Sequence, residues 1–189
     1  MNAPTRMDQE PRRRLFTVDE VLAMQNAGVF ENGEDFELIE GELILMQAKN
    51  NPHELYKNRL VQAFFRLLPA NVEAWVEPTL YLPPYNAPDP DIMVFPRGVS
   101  IEELKPEQVY LIIEVAEATL RKDLGIKASL YARFGLREYW VIDASTPRIV
   151  VHRQPEGDGW REVLEVGRDE PVSPLAFPEI VIRLADLEQ

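Results

Sequence analysis

The run VYLIIEV, residues 109–115, sets one carboxylate in an otherwise apolar stretch. It barely alternates, and a strand that is apolar on both faces needs cover on both faces. The chain must therefore put a sheet between other layers, and it must find a use or a partner for Glu114. The run PDIMVF, residues 90–95, raises the same question for Asp91. An isolated buried carboxylate costs several kcal/mol unless it is paired or protonated. Two acids at the ends of neighbouring strands can instead converge on a hard divalent cation, which takes oxygen ligands. Asp89 competes with Asp91, because residues two apart in an extended chain point to one side. Asp91 is preferred since the apolar strand begins right after it; an aspartate beside prolines can also be a plain turn former.

The remaining elements follow from pattern. Thr17 and Glu20 form a T-x-x-E capping box, so a helix is expected from Thr17 to about Gly28, where glycine suits the stop. FELIEGELILM (36–46) predicts two short strands around a tight turn at Glu40-Gly41. An amphipathic helix is expected over 51–69, with Leu60, Ala63, Phe64, Leu67 and Leu68 at helical spacing. A strand over 72–82, broken at Pro78, leads through the proline-rich loop PPYNAPDP to the strand 91–95. A loop over 96–108 carries a helical turn near Ile101–Leu104. Then come strand 109–115, helix 119–134, strand 138–143, and a hairpin of 147–154 with 160–166 around PEGDG. This order predicts a mixed α/β (α+β) fold rather than a strict βαβ repeat. The length suits one domain, expected over 15–189, after a loose polar tail over 1–14.

The helix 119–134, TLRKDLGIKASLYARF, carries a misplaced lysine. Wound at about 100° per residue, Leu120, Leu124, Tyr131 and Phe134 share a stripe roughly 80° wide. Lys127 falls inside that stripe and Asp123 on its edge, while Arg121, Lys122 and Arg133 fall outside. A lysine turned toward a sheet that carries Glu114 needs a negative partner. Asp123 four residues back could be that partner, with the lysine stem snorkelling outward. Otherwise Asp91, Glu114 and Lys127 form one cluster: two acids for a metal, and an ammonium for a water or a phosphate charge.

Acids outnumber bases 32 to 20, giving a formal net charge of −12, which opposes tight non-specific phosphate binding. No apolar run approaches the roughly 20 residues of a membrane span. The absence of cysteine excludes disulfides and thiolate metal sites and fits a cytoplasmic setting. With only His53 and His152, a multi-histidine zinc site is not expected.

Pro90-Asp91, then Glu114-Val115, then Asp123, Lys127 and Tyr131 as D-x-x-x-K-x-x-x-Y, then Gly135, Glu138, Tyr139, Trp140 and Asp143 as G-x-x-E-Y-W-x-x-D: taken in order, these resemble the Uma-type "putative restriction endonuclease" family, a branch of the PD-(D/E)XK nucleases. The resemblance runs from about Thr17 to the C-terminus. It implies a restriction-endonuclease-like central mixed sheet flanked by helices, with an N-terminal helix and hairpin. It implies Mg²⁺ or Mn²⁺ held by Asp91, Glu114 and the Val115 carbonyl, with Asp91, Glu114 and Lys127 catalytic. In the wider superfamily the lysine sits two residues after the strand acid; here that position is Ala116, and the branch takes its lysine from the next helix. Glu117-Ala118-Thr119 stands where relatives have Ser-Pro-Ser/Thr, which adds a negative charge beside the expected phosphate path. His53 is either a locally satisfied helix-start residue or faces the metal. Glu40 is a turn residue that the family sets near the site. Tyr131 either packs or offers its hydroxyl, and Tyr139 and Trp140 are expected in the core.

The function so implied is metal-dependent endonucleolytic cleavage of phosphodiesters in DNA, with weak, salt-sensitive binding through the basic residues Arg121, Lys122, Lys127, Arg133 and Arg137. The alternative is a catalytically inactive fold relative that serves as a binding or assembly module. A homodimer is the default oligomer.

Overall fold

The computed structural model describes residues 13–30, 35–46, 51–117 and 119–188, with only the backbone of 51 and 52. Residues 1–12 of the expected tail lie outside the described residues. Arg13 and Arg14, its last two residues, pair with Glu42 (2.8 Å) and Glu20 (2.6 Å).

Helix α1 (Val18–Asn26) opens on the expected box. Thr17 Oγ1 accepts from the Glu20 amide at 3.2 Å, and Glu20 accepts from the Thr17 amide at 3.0 Å. Strands β1 (Phe36–Ile39) and β2 (Glu42–Leu45) form a separate hairpin. Its turn has positive φ at both Glu40 (53°) and Gly41 (80°), the backbone of a tight two-residue turn. Gly41 must be glycine for a second reason: a Cβ there would meet Leu15 Cβ at 2.6 Å.

Strands β3 (Val72–Val76), β4 (Ile92–Pro96), β5 (Leu111–Ala116), β6 (Glu138–Asp143), β7 (Arg148–Glu156) and β8 (Gly159–Gly167) make one six-stranded sheet in sequence order. Only β5 and β6 run parallel; the other neighbours are antiparallel. This is the expected mixed α+β architecture. Every residue of β5 and of β6 is buried, as a non-alternating apolar strand requires.

Helix α2 (Asn51–Leu67) packs Tyr56, Leu60 and Phe64 on one face of the sheet, against Ile113, Val115, Trp140 and Ile142. Leu67 is half-exposed rather than buried. The C-terminal segment covers the rest of this face through a bridge between Val172 and Ile182 and the short helix α4 (Leu184–Leu187). The other face carries Ile112, Ala116, Tyr139 and Val141 and is covered by helix α3, residues 120–133. The helical turn expected at 101–104 is followed by a 3₁₀ turn at Pro106–Gln108.

Helix α3 is not the uniform α-helix assumed from sequence. Three α-helical residues, Leu120–Lys122, pass into a π-helical stretch, Asp123–Lys127, and then into Ala128–Arg133. A π turn closes i→i+5 bonds, so more residues fit in each turn. Asp123 and Lys127, four apart, are thereby both turned inward, each 2% exposed. Tyr139 OH donates to the Asp123 carbonyl at 3.1 Å, which ties the widened turn to β6.

Candidate active site

The β4–β5 register pairs Ile92 with Ile113. Continued by one residue, it brings Asp91, just before β4, opposite Glu114 near the end of β5. Asp91 Oδ2 accepts the Val115 amide at 2.8 Å and contacts His53 Nε2 at 3.1 Å. An ionised carboxylate can only accept, so in this contact an ionised Asp91 calls for the tautomer with the proton on Nε2. His53 comes from the first turn of α2 and is buried, so it faces Asp91 rather than serving only its own helix start.

Lys127 Nζ lies 2.7 Å from Glu114 Oε1 and 2.6 Å from Glu37 Oε1. The i,i+4 alternative with Asp123 is not what this ammonium chooses. Tyr131 OH donates to Glu114 Oε1 at 3.2 Å. Among the described residues, both Glu114 side-chain bonds run through Oε1. Lys122 Nζ takes Glu37 Oε2 at 2.6 Å, and the Asp89 amide donates to Glu37 Oε1 at 3.1 Å. Asp89 itself lines a small cleft with Val18, Leu38 and Tyr81, under α1.

Glu37 escaped the reading of the sequence, although it is fully buried and binds both lysines. Its signal was available. FELI sets one acid among apolar residues on a strand, the same pattern that singled out Glu114. Glu40, named instead, sits in the turn, exposed and paired with Arg133 at 2.6 Å; it does not join the cluster. Lys57 was also missed: it is buried in α2 between Glu54 (2.7 Å) and Glu77 (2.6 Å). The Glu77 amide in turn bonds the Asp91 carbonyl at 3.1 Å. The other motif residues are structural. Glu138, fully buried, accepts from Trp140 Nε1, Arg153 Nε and the Leu175 amide. Asp143 caps the turn amides of Ser145 and Thr146. Tyr139 and Trp140 are core residues.

The electrostatics follow from burial. Burial pushes the Glu114 carboxyl well above its usual range; Lys127 opposes this, and Asp123 and Asp91 add to it. Burial also raises Asp123. Burial works against the charged form of Glu37 too, but Lys127 and then Lys122 outweigh it and hold its pKa low. Lys127 pays a burial penalty, yet Glu114, Glu37 and Asp123 around it raise its pKa and keep it an ammonium. Among the described residues, Glu37, Glu114 and Asp123 surround Lys127, and Asp91 lies close enough to Glu114 to raise it further. A divalent cation beside acids that burial drives toward their neutral forms would take the place of the protons there. Among the described residues no three His, Asp or Glu side chains cluster as ready metal ligands. Two carboxylates and a main-chain oxygen would make a sparse donor set, of the kind that suits Mg²⁺, which keeps much of its water.

Glu37→Gln is expected to lower stability by about 3 kcal/mol, because it leaves two lysines short of a buried partner. The Glu37 contribution has a definite sign in pH. A depressed carboxylate stabilises above its unfolded pKa and loses that effect as pH falls through its folded pKa. Denaturant melts of the variant and the parent should therefore differ most at neutral pH and converge in acid.

The basic residues of the α3 region are mostly engaged. Lys122 and Lys127 bind Glu37, and Arg133 binds Glu40; Arg121 and Arg137 are exposed and have no carboxylate partner among the described residues. Glu117 keeps a buried Oε2 with no hydrogen bond among the described residues. Ala118 lies outside the described residues. No helix among the described residues is long and apolar enough to cross a membrane.

A family model described as "Putative restriction endonuclease", Uma2, matches residues 18–185. Among solved structures, the chain is similar to the one titled a "putative nuclease belonging to DUF820" from Anabaena variabilis, with a TM-score of 0.73 at 19% identity. The match covers 91% of this chain and 97% of that one, and at this identity it speaks for the fold alone. No curated protein matches.

Proposed function

The chain belongs to the Uma2 family, and on that premise we propose that it is a metal-dependent nuclease that hydrolyses phosphodiesters in DNA. The observation that carries this reading is the pairing of Asp91 with Glu114 at the strand ends, in a buried cluster where burial drives Glu114 toward its neutral form. Asp91, the Glu114 carboxylate and the Val115 carbonyl would hold Mg²⁺ or Mn²⁺. N–H and C=O of one residue leave an extended strand on the same edge, so the Val115 carbonyl faces the side on which its amide meets Asp91. The ion would supply a polarised phosphate and an activated water.

The side chains have separable tasks. Glu114 keeps Oε1 for Lys127 and Tyr131, which fixes its rotamer and leaves Oε2 for the cation. Lys127 is a positioning residue: its ammonium is spent on Glu114 and Glu37, deep in the protein, where it holds the carboxylate in place. His53 orients Asp91 by its contact with Oδ2, the oxygen that also accepts the Val115 amide. Arg121 and Arg137 remain for phosphate contact. Unpaired guanidiniums such as these, on a chain of net charge −12, support weak, salt-sensitive DNA binding.

The test is cleavage of supercoiled plasmid with Mg²⁺ or Mn²⁺, with a chelator control. Calorimetry with Mn²⁺ adds a readout that does not depend on turnover. The Glu114 pKa is raised in the metal-free protein, so at pH below that value the cation must displace a proton. Affinity should rise with pH, and protons should be released on binding, seen as a dependence of the heat on buffer ionisation enthalpy. No cleavage together with no Mn²⁺ binding would favour the other reading, a non-cutting relative in which these acids and lysines only hold the fold together.

A further inference from the structure

A second charged feature lies on the opposite face of the sheet. Most arginines among the described residues pair with a carboxylate, as Arg133, Arg153, Arg161 and Arg168 do. Arg59 and Arg66 are exposed on α2, and neither has a carboxylate partner among the described residues. Seven residues apart, with Gln62 between them, they lie on one stripe of the helix. That stripe forms one wall of a groove of about 210 Å³. The other wall is the C-terminal segment, which presents Arg183 and the half-exposed Val181. Arg183 has only a loose contact with Asp186, at 3.7 Å.

Both walls are fixed before anything binds. Leu184 and Leu187 are buried under α2, and Tyr56 OH donates to Glu188 at 2.6 Å. The bridge between Val172 and Ile182 holds the segment just before Arg183. The guanidiniums are thus carried on a scaffold whose ordering has already been met by folding, which favours a ligand. The groove mixes three guanidiniums and one carboxylate, Asp186, with the apolar side chains of Leu67, Ala63 and Val181. A lone inorganic anion needs only the charge; a polynucleotide strand also presents apolar sugar and base surface alternating with its phosphates.

We propose that this groove is a backbone-binding site for a polynucleotide strand, distinct from the carboxylate cluster. The assignment rests on the nuclease reading for its choice of polyanion. The α2 helix links the two places. His53 touches Asp91 in its first turn, and Arg59 and Arg66 lie about 9 Å and about 20 Å further along the axis. A strand held in the groove would raise the local concentration of phosphodiesters near the cluster, in a protein whose overall charge otherwise repels them.

The experiment is fluorescence anisotropy of a labelled single-stranded oligodeoxynucleotide in EDTA across a salt series, so that binding is read without cleavage. The Arg59→Ala/Arg66→Ala protein should bind more weakly for every sequence tried. Its slope of log K against log salt should shrink by about 1.4, the value for two lost single-strand phosphate contacts. Arg161→Ala, which removes an exposed arginine already paired with Glu156, should leave both quantities unchanged. Hydrolysis of bis(4-nitrophenyl) phosphate with Mn²⁺ should be the same for the double variant and the parent, since that molecule is too small to need the groove. If the parent fails to bind the oligonucleotide, or the double variant binds it with the parental slope, the groove assignment is overturned, whether or not the small ester is cut. Displacement of the oligonucleotide by polyglutamate at equal charge would overturn it in favour of an acidic protein segment. Failure to hydrolyse any phosphodiester would instead remove the nuclease reading and leave the groove to be judged by the anisotropy alone.

Discussion

Lys127→Met is expected to be the most destabilising single substitution in the candidate site, by about 3–5 kcal/mol at neutral pH. Methionine fills much of the same space without the charge. It leaves Glu114 and Glu37 without the ammonium they share at 2.7 and 2.6 Å, and Asp123 without the positive charge that most favours its ionised form. For a chain of this length such a loss corresponds to a fall in Tm on the order of 10 °C. The pH dependence follows from the directions of the shifts. Burial raises Glu114 and Asp123, so their charged forms cost stability above their folded pKa values. That cost disappears as pH falls toward the unfolded carboxylate range. Without Lys127 the cost grows, so the gap between variant and parent should narrow as pH is lowered. Urea melts at mildly alkaline and mildly acidic pH read this directly. A variant within about 1 kcal/mol of the parent at the higher pH would mean that Lys127 reaches water and that the cluster is not the closed ionic unit described here.

Glu114→Gln should have the opposite signature, with a large effect on activity and a small one on stability. Glutamine keeps the shape and can still accept from Lys127 and Tyr131, the two partners of Oε1. It also removes a charge that burial already disfavours, while Lys127 retains Glu37. The net change in folding free energy should stay within about 1 kcal/mol. Loss of a charged oxygen from the proposed metal site should lower plasmid cleavage by about a thousand-fold or more, equivalent to roughly 4 kcal/mol of transition-state stabilisation. It should also abolish the Mn²⁺ heat. Cleavage that persists at the parental rate in a folded Glu114→Gln protein would remove Glu114 from the chemistry. Together the two variants separate the residue that holds the site together from the residue that would meet the cation.

The contrast between these two side chains shows what could be read from the chain beforehand. A seven-residue run with one acid and no alternation has few places to go. It fixed β5 as a strand covered on both faces and made Glu114 a buried carboxylate. Helical spacing alone turned Lys127 toward the sheet. Local chemistry determined the capping box of α1, the turn at Glu40-Gly41 and the β7–β8 hairpin, because in each the deciding contacts lie within a few residues. The π stretch in α3 was not legible. A uniform winding puts Asp123 on the edge of the buried stripe, and only packing against β6 repays the distorted backbone that brings it fully inside. The apolar frame of Glu37 was legible in FELI, but its partners were not. Its hairpin is not part of the main sheet, and nothing in FELIEGELILM says that this hairpin will fold over α3 and offer a second carboxylate to Lys127 and Lys122.

The sequence by itself determined the elements, the inward turn of one lysine and the burial of two acids, since these depend on periodicity and on the cost of stranding charge among apolar neighbours. Only the tertiary structure decided which charges meet. Ion pairs between residues 13, 85 and 90 positions apart, Lys127 with Glu114, Lys122 with Glu37, and Lys127 with Glu37, depend on how the layers stack. Coulomb energy falls with distance in space and is indifferent to distance along the chain.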